Sequence, residues 1–374
     1  MSRIFLKSLV AVAGIVMTIL LCFPGSASAQ GESAVPFLLI APNSRAAGIG
    51  EAGTGTVDDA SAMFWNPAAL AFLDGYEVSI THANWLPQFQ QADLFYDYLN
   101  YRQRIDEIGG TIGASVTYLN LGEFIKTNSS GPEEVGRFKA FEVAVTGGYA
   151  TQVFDELSLG LNLRYIHSAL SPLEATEFEE GSGVASTVSF DIAMMFRPTV
   201  MEVPLLGDWG NKFSAGFNLS NIGPKVTYID EDQSDPLPTN LRLGLGYKLV
   251  KDEFNELTAS LDFSRLLVNR DSTGHSDPVY EAIFSSWGDG SGLNKINTAG
   301  GLEYWYGAPR LLALRIGYFY EDPSFGNRQF LTFGAGIRFD IYGFDFSYIS
   351  AEEDHPLSDT IRFSLLIAWG PDGE

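Results

Sequence analysis

From Tyr76 to Trp369 the chain alternates apolar with small or polar residues in one segment after another, and a period of two restricts it to sheet. Ser158-Leu159-Gly160-Leu161-Asn162-Leu163-Arg164-Tyr165 is the clearest run, with every odd position apolar, as when successive side chains point to opposite faces. Leu241, Leu243, Leu245, Tyr247 and Leu249 likewise oppose Arg242, Gly244, Gly246 and Lys248, and Ile361, Phe363, Leu365 and Ile367 oppose Arg362, Ser364 and Ala368. A soluble sandwich alternates too, so connection lengths must separate it from a membrane barrel. Links after odd strands are long (121–139, 169–181, 223–237, 267–293, 321–328), whereas those after even strands are mostly tight, as at Phe154-Asp155-Glu156 and Gly307-Ala308-Pro309. Two exceptions are a short outer link at Leu86-Pro87 and a longer inner one over 198–210. Long loops on one side and short turns on the other are the habit of outer-membrane barrels. Tyr118, Tyr165, Tyr318, Tyr320 and Tyr348 fall toward the loop ends, and Tyr149, Tyr247, Tyr304, Tyr306 and Trp369 toward the turn ends, where aromatic girdles are expected. The expected fold is therefore all-β: a transmembrane antiparallel β-barrel of about 14 strands over 76–369, with a short periplasmic tail at 370–374.

What precedes the barrel reads as two pieces. Residues 1–29 have a basic start (Arg3, Lys7), an apolar stretch from Leu9 to Phe23 and a small-x-small end at Ala27-Ser28-Ala29, the pattern of a secretory signal peptide. A lipoprotein reading fails because Leu21, not a small residue, precedes Cys22. Cleavage after Ala29 removes that single cysteine, which leaves an exported chain without disulfides. Residues 30–75 form an N-terminal plug, or hatch, expected to sit in the lumen. Their stretch from Ala41 to Leu70 is rich in Gly and Ala and carries Arg45 and the motif Trp65-Asn66-Pro67. Gly48-Ile49-Gly50-Glu51-Ala52-Gly53 has dinucleotide-site spacing but no βαβ context, so its glycines are read as allowing tight packing.

The residues argue against chemistry. With 46 acidic residues against 23 basic, nucleic acid is not an expected partner. His82, His167, His275 and His355 have no paired spacing, and no Gly-x-Ser-x-Gly elbow occurs, so no catalytic residue, metal or cofactor is expected and the chain is not read as an enzyme. The acidic run Asp230 to Asp235 lacks the glycine and closing glutamate of a calcium loop. Arg164, Arg242, Lys248, Arg315, Arg338 and Arg362 fall on the lumen face with Glu142, Asp191, Asp262, Glu303 and Asp340; they either grip the plug through ion pairs or line a solute path. Gly216 faces the same lumen, so Gly216→Ser is expected to be milder than a charge on the lipid face. Phe124, Ile125, Tyr228, Ile229, Tyr280, Ile283, Phe284 and Trp287 put apolar side chains in outer loops, which suggests a binding surface there.

Pro42-Asn43-Ser44-Arg45-Ala46-Ala47-Gly48 with Trp65-Asn66-Pro67-Ala68 resembles the hatch of FadL-like porins, and more closely that of the PorV family of type IX secretion barrels. Leu119 to Phe124, Asn221 to Lys225, Leu237 to Arg242 and the run from Leu314 to Phe339 are similar to the same family. The resemblance implies a plugged, fourteen-stranded barrel in the bacterial outer membrane that does no chemistry. It further implies partners: secreted cargo recognised by its C-terminal domain, an SprA-type translocon that hands cargo over, a PorU sortase complex that attaches it, and outer-membrane lipid. The alternative is a FadL-type channel for hydrophobic small molecules.

Overall fold

A computed structural model describes residues 33–370 except 90–92, 129–130, 177–178, 230–233, 271–274, 289–291 and 353–354. The 1–29 signal peptide, the end of the tail at 371–374 and the greater part of the acidic run, 230–233, lie outside the described residues. In chain order the strands are β1 (Tyr76–Asn84), β2 (Phe95–Ile105), β3 (Gly110–Asn128), β4 (Gly131–Phe154), β5 (Leu157–Thr176), β6 (Glu179–Phe196), β7 (Glu202–Val203) and β8 (Gly207–Asp208). They continue with β9 (Phe213–Ile222), β10 (Asn240–Lys251), β11 (Asn255–Leu266), β12 (Asn297–Tyr306), β13 (Leu312–Tyr320), β14 (Gln329–Phe339), β15 (Tyr342–Ala351) and β16 (Ile361–Trp369). All but β7 and β8 pair in chain order into a closed antiparallel barrel of 14 strands, and β7–β8 is a separate hairpin between β6 and β9. Closure runs from Tyr76 opposite Trp369 to Ala83 opposite Arg362, with the rings of Tyr76 and Trp369 stacked 5.4 Å apart at the turn end. A closed ladder leaves no unpaired edge, the condition for strands to cross lipid.

Alternation translates directly into two faces. Along β13, Leu312, Leu314, Ile316 and Tyr318 are exposed while Ala313, Arg315, Gly317 and Phe319 are buried. The exposed apolar set meets lipid and the buried set lines the lumen. Two links differ from the sequence reading. The 121–139 and 169–181 stretches are mostly ladder, because pairing continues through Glu123 opposite Lys139 and Phe124 opposite Phe138 after a bulge at Asn120/Gly122. Above the membrane neither face must be apolar, so the period of two fades from the sequence although the strands go on.

The N-terminal segment packs on the lumen face. It holds two single-turn helices, α1 (Ser44–Ala47) and α2 (Ala62–Trp65), and 3-10 turns over Pro36–Leu39 and Pro67–Phe72. Hydrogen bonds tie it around the ring: Ser44 N to Ser364 Oγ at 3.0 Å, Gly50 N to Thr332 Oγ1 at 2.8 Å, Thr54 N to Asp262 Oδ2 at 2.7 Å and Ala60 N to Glu77 Oε1 at 3.0 Å. In return Asn162 Nδ2 donates to Met63 O at 2.8 Å and Asn218 Nδ2 to Trp65 O at 3.1 Å. Small residues are needed for this closeness. Gly50 adopts φ +75°, and a Cβ there would lie 2.7 Å from the backbone of Gly300 and Tyr318. Trp65 Nε1 donates to Asn43 Oδ1 at 2.8 Å. Asn66 caps the Pro67–Phe72 turn by accepting from Ala68 N at 3.1 Å, and its Nδ2 donates to Thr54 O and Met194 O at 3.0 Å each.

One cluster of charges inside this packing is closely paired. Arg45 bridges Asp58, Asp59 (3.0 Å) and Glu303 (2.7 Å); Arg315 reaches Glu303 and Asp345 at 2.8 Å each, and Arg338 reaches Asp345 at 2.6 Å. Arg310 pairs with Asp58 at 3.0 Å, and the ring of Trp305 has Arg338, Arg315, Arg310 and Arg45 over it at 5.1, 5.2, 5.4 and 6.0 Å. Asp340 does not belong to the network as expected: it is exposed in the β14–β15 turn, with φ 54°, and Asp345 takes the inward role. Arg242 stands over the rings of Trp65 and Phe64, 4.8 and 4.9 Å away. Burial pushes the Asp58 carboxyl up, but Arg45 and Arg310 more than reverse this and hold it well below 3.8.

Candidate functional site

At the loop end the N-terminal segment forms the floor of a depression of 790 Å³. Val35 and Phe37 are buried in that floor and Ile40 is half-buried, with Trp85, Leu119, Leu121, Leu170, Phe330 and Leu357 in the walls. Pro36 starts the 3-10 turn that presents this floor. The run Pro36-Phe37-Leu38-Leu39-Ile40 was a legible signal, an apolar stretch too short for a strand and placed before the small-residue segment. The walls come from the outer parts of β3, β5 and β14 and from the links after β1 and β15, which sequence spacing does not bring together.

A few polar groups interrupt the apolar lining. Tyr228 OH donates to Ser168 Oγ at 2.9 Å, and Ser168 Oγ donates to Glu142 Oε1 at 2.8 Å. Arg328 makes a two-pronged pair with Glu321, both contacts at 2.8 Å, over which Gly326 closes in a φ of 136°. Burial raises the Glu51 carboxyl from its ordinary range, against the opposing pull of Arg362 and Arg328. Burial and then Arg328 lower His355. Among the described residues no group of His, Cys, Asp and Glu is arranged to hold a metal.

Around the rim, Phe124 and Ile125 stand exposed on the β3 extension, Phe124 stacked on Phe138 at 5.6 Å. Ile229 is exposed, whereas Tyr228 is half-buried in the depression wall through its bond to Ser168. The β11–β12 link folds into a helix, α3 (Val279–Ser285), where Ala282 is buried, Ile283 is half-buried, and Tyr280 and Phe284 are exposed. Trp287 follows, half-exposed, with the Arg265 guanidinium 4.4 Å from its ring. Arg265 also donates to Ser286 O, and to Gly292 O at 2.7 Å, which fastens the link to β11. The sequence grouped these apolar residues as one contact centre; the barrel separates them. β4, β5, β6, β9 and β10 lie between β3 and β11, so Phe124 and Trp287 stand nearly opposite each other across the ring. Arg45, Trp65, Asn66 and Pro67, which the sequence assigns to a plug, lie below, packed on the lumen side and away from the rim.

The family profile described as "Type IX secretion system protein PorV" matches residues 28–273. No curated protein matches the chain in sequence. Among solved structures the chain is similar to CymD, a monoaromatic hydrocarbon channel (13% identity, TM-score 0.52, covering 89% of this chain and 98% of that one). It is also similar to the TodX ΔS2S3 mutant, a monoaromatic hydrocarbon channel (12%, 0.52, 87% and 97%), and to the toluene transporter TbuX of Ralstonia pickettii (13%, 0.49, 87% and 97%). At these identities the likeness to CymD and to the TodX mutant is one of fold.

Proposed function

The chain belongs to the PorV family, as an outer-membrane protein of the bacterial type IX secretion system, and from that premise we propose that it carries secreted cargo on its outer rim. Cargo received from an SprA-type translocon, recognised by its C-terminal domain, is held there and handed to the PorU sortase complex. Residues 30–75 serve as the plug of this carrier, and the chain supplies no catalytic group. One observation carries the proposal: the lumen is occupied by the N-terminal segment while the loop end displays Phe124, Ile125, Tyr280, Phe284 and Trp287 around an apolar depression. A folded domain has room only at such a rim, and aromatic anchors dominate interfaces of this kind.

The depression also supports a second reading, a FadL-type channel for hydrophobic small molecules, because a pocket of 790 Å³ with a mostly apolar lining has the size and character of a ligand site. Affinity purification of the barrel from cells separates the two. Copurification of cargo and translocon is expected for the carrier; a barrel that brings down neither, yet supports uptake of a hydrophobic solute, would establish the channel instead.

A further inference from the structure

The periplasmic end holds a second cavity of 230 Å³, between the N-terminal segment, β9 to β12 and the turn after β12. Six cations line it, Arg45, Arg197, Lys212, Lys248, Lys251 and Arg310, against three carboxylates, Asp58, Glu256 and Glu303. In a chain of formal charge −23 this local excess runs against composition. Arg45 and Arg310 are taken up by Asp58, Glu303 and Glu256, and Lys248 lies 3.5 Å from Glu256. Among the described residues Arg197, Lys212 and Lys251 have no carboxylate at ion-pair distance. Arg197 Nη2 donates to Val57 O at 2.7 Å and Lys212 Nζ to Asp208 O at 3.0 Å.

The long inner link is what builds one wall. It leaves β6 at Arg197 and returns to β9 at Lys212, and it is braced by Asn211 N to Pro198 O at 2.7 Å, Thr199 N to Glu156 Oε1 at 2.8 Å and Lys248 N to Lys212 O at 2.9 Å. Two of the three unpaired cations are thus placed by a fixed insertion where a two-residue turn would suffice to join strands. The cavity has room for several waters, at about 30 Å³ each, or for one compact oxyanion, but not for a folded partner.

We infer that this cup binds a multivalent phosphoryl anion from the periplasmic side. A lone carboxylate leaves two of the three cations unmatched, whereas a phosphate monoester carries about −1.5 to −2 and a pyrophosphate group more. Guanidinium and ammonium donors together suit phosphoryl oxygens. The group can come from a soluble phosphorylated compound or from an inner-leaflet lipid whose headgroup carries more than one phosphate charge, such as cardiolipin, reaching over the rim.

Calorimetric titration of the purified full-length barrel with inorganic pyrophosphate tests this. Saturable binding is expected, weaker in high salt, and reduced by about tenfold in each of Lys212→Gln and Lys251→Gln. Lys139→Gln, an exposed cation on the outer part of β4, should bind as wild type. Lys251 is exposed, so its variant keeps the inference testable if Arg197 or Lys212 variants fail to assemble. Absence of saturable binding, or binding that Lys251→Gln and Lys212→Gln both leave intact in assembled barrels, would overturn the site. In nanodiscs of equal lipid charge, pyrophosphate affinity lower with cardiolipin than with phosphatidylglycerol assigns the site to a lipid headgroup of more than one phosphate; equal affinity assigns it to a soluble anion.

Discussion

Gly216 shows what the orientation of a side chain leaves undetermined. The alternation places it in the lumen, where a serine was expected to be mild, yet a Cβ there would lie 2.1 Å from Thr54 O and 2.6 Å from Asn66 Nδ2. Gly216→Ser should therefore cost about 1 to 3 kcal/mol through overpacking, while Gly147→Ser, where a Cβ meets nothing within 4 Å, should be neutral. Midpoints of heat-modifiable gel mobility for the two variants check this, and equal midpoints would contradict the packing described. The sequence revealed the face of Gly216 and a segment to fill the lumen, but not that Thr54 and Asn66 of that segment lie directly against this glycine. Asp58 adds a pH dependence. Its folded pKa lies below the ordinary 3.8, so its contribution is fully present above 3.8 and is lost as pH falls below that value toward the folded one. Hydrogen exchange in the segment around Arg45 and Asp58 should rise on acidification below 3.8, and Asp58→Asn should flatten that rise.

The strands were legible because lipid on one side and a packed lumen on the other impose a period of two on each. Leu161 and Leu243 are exposed on the lipid face as that period required. An arginine at either should cost about 2 to 4 kcal/mol in assembly, measurable by refolding into vesicles, and tolerance at both would reverse the assignment of faces. The links were legible in length and not in shape. Alternation stops above the membrane, so the β3–β4 and β5–β6 extensions read as loops, and α3 is only seven residues long, too short to show a helical period. What holds α3 is a long-range contact, Arg265 beneath Trp287, that spacing cannot reveal. Arg265→Ala should leave the barrel folded and free the link, seen as faster proteolysis between 279 and 292; unchanged proteolysis would mean that apolar packing alone holds it.

For the molecule as a whole, one closed ring with an occupied lumen leaves two ends available for function, and their chemistry differs. The periplasmic end gathers cations and the outer end gathers apolar side chains. The sequence named the exposed apolar residues but took them for one patch, because ring order, not distance along the chain, decides that Phe124 and Trp287 face each other across the depression. A cargo domain spanning the rim would touch both sides, and truncating an aromatic at a hot spot costs about 2 kcal/mol or more. The most direct measurement is the affinity of a purified cargo C-terminal domain for barrels carrying Phe124→Ala, Trp287→Ala or both, with assembly verified by gel mobility. A loss of roughly 30-fold for each single variant, and more for the pair, is expected if the outer rim holds cargo; wild-type affinity in the assembled double variant would contradict it.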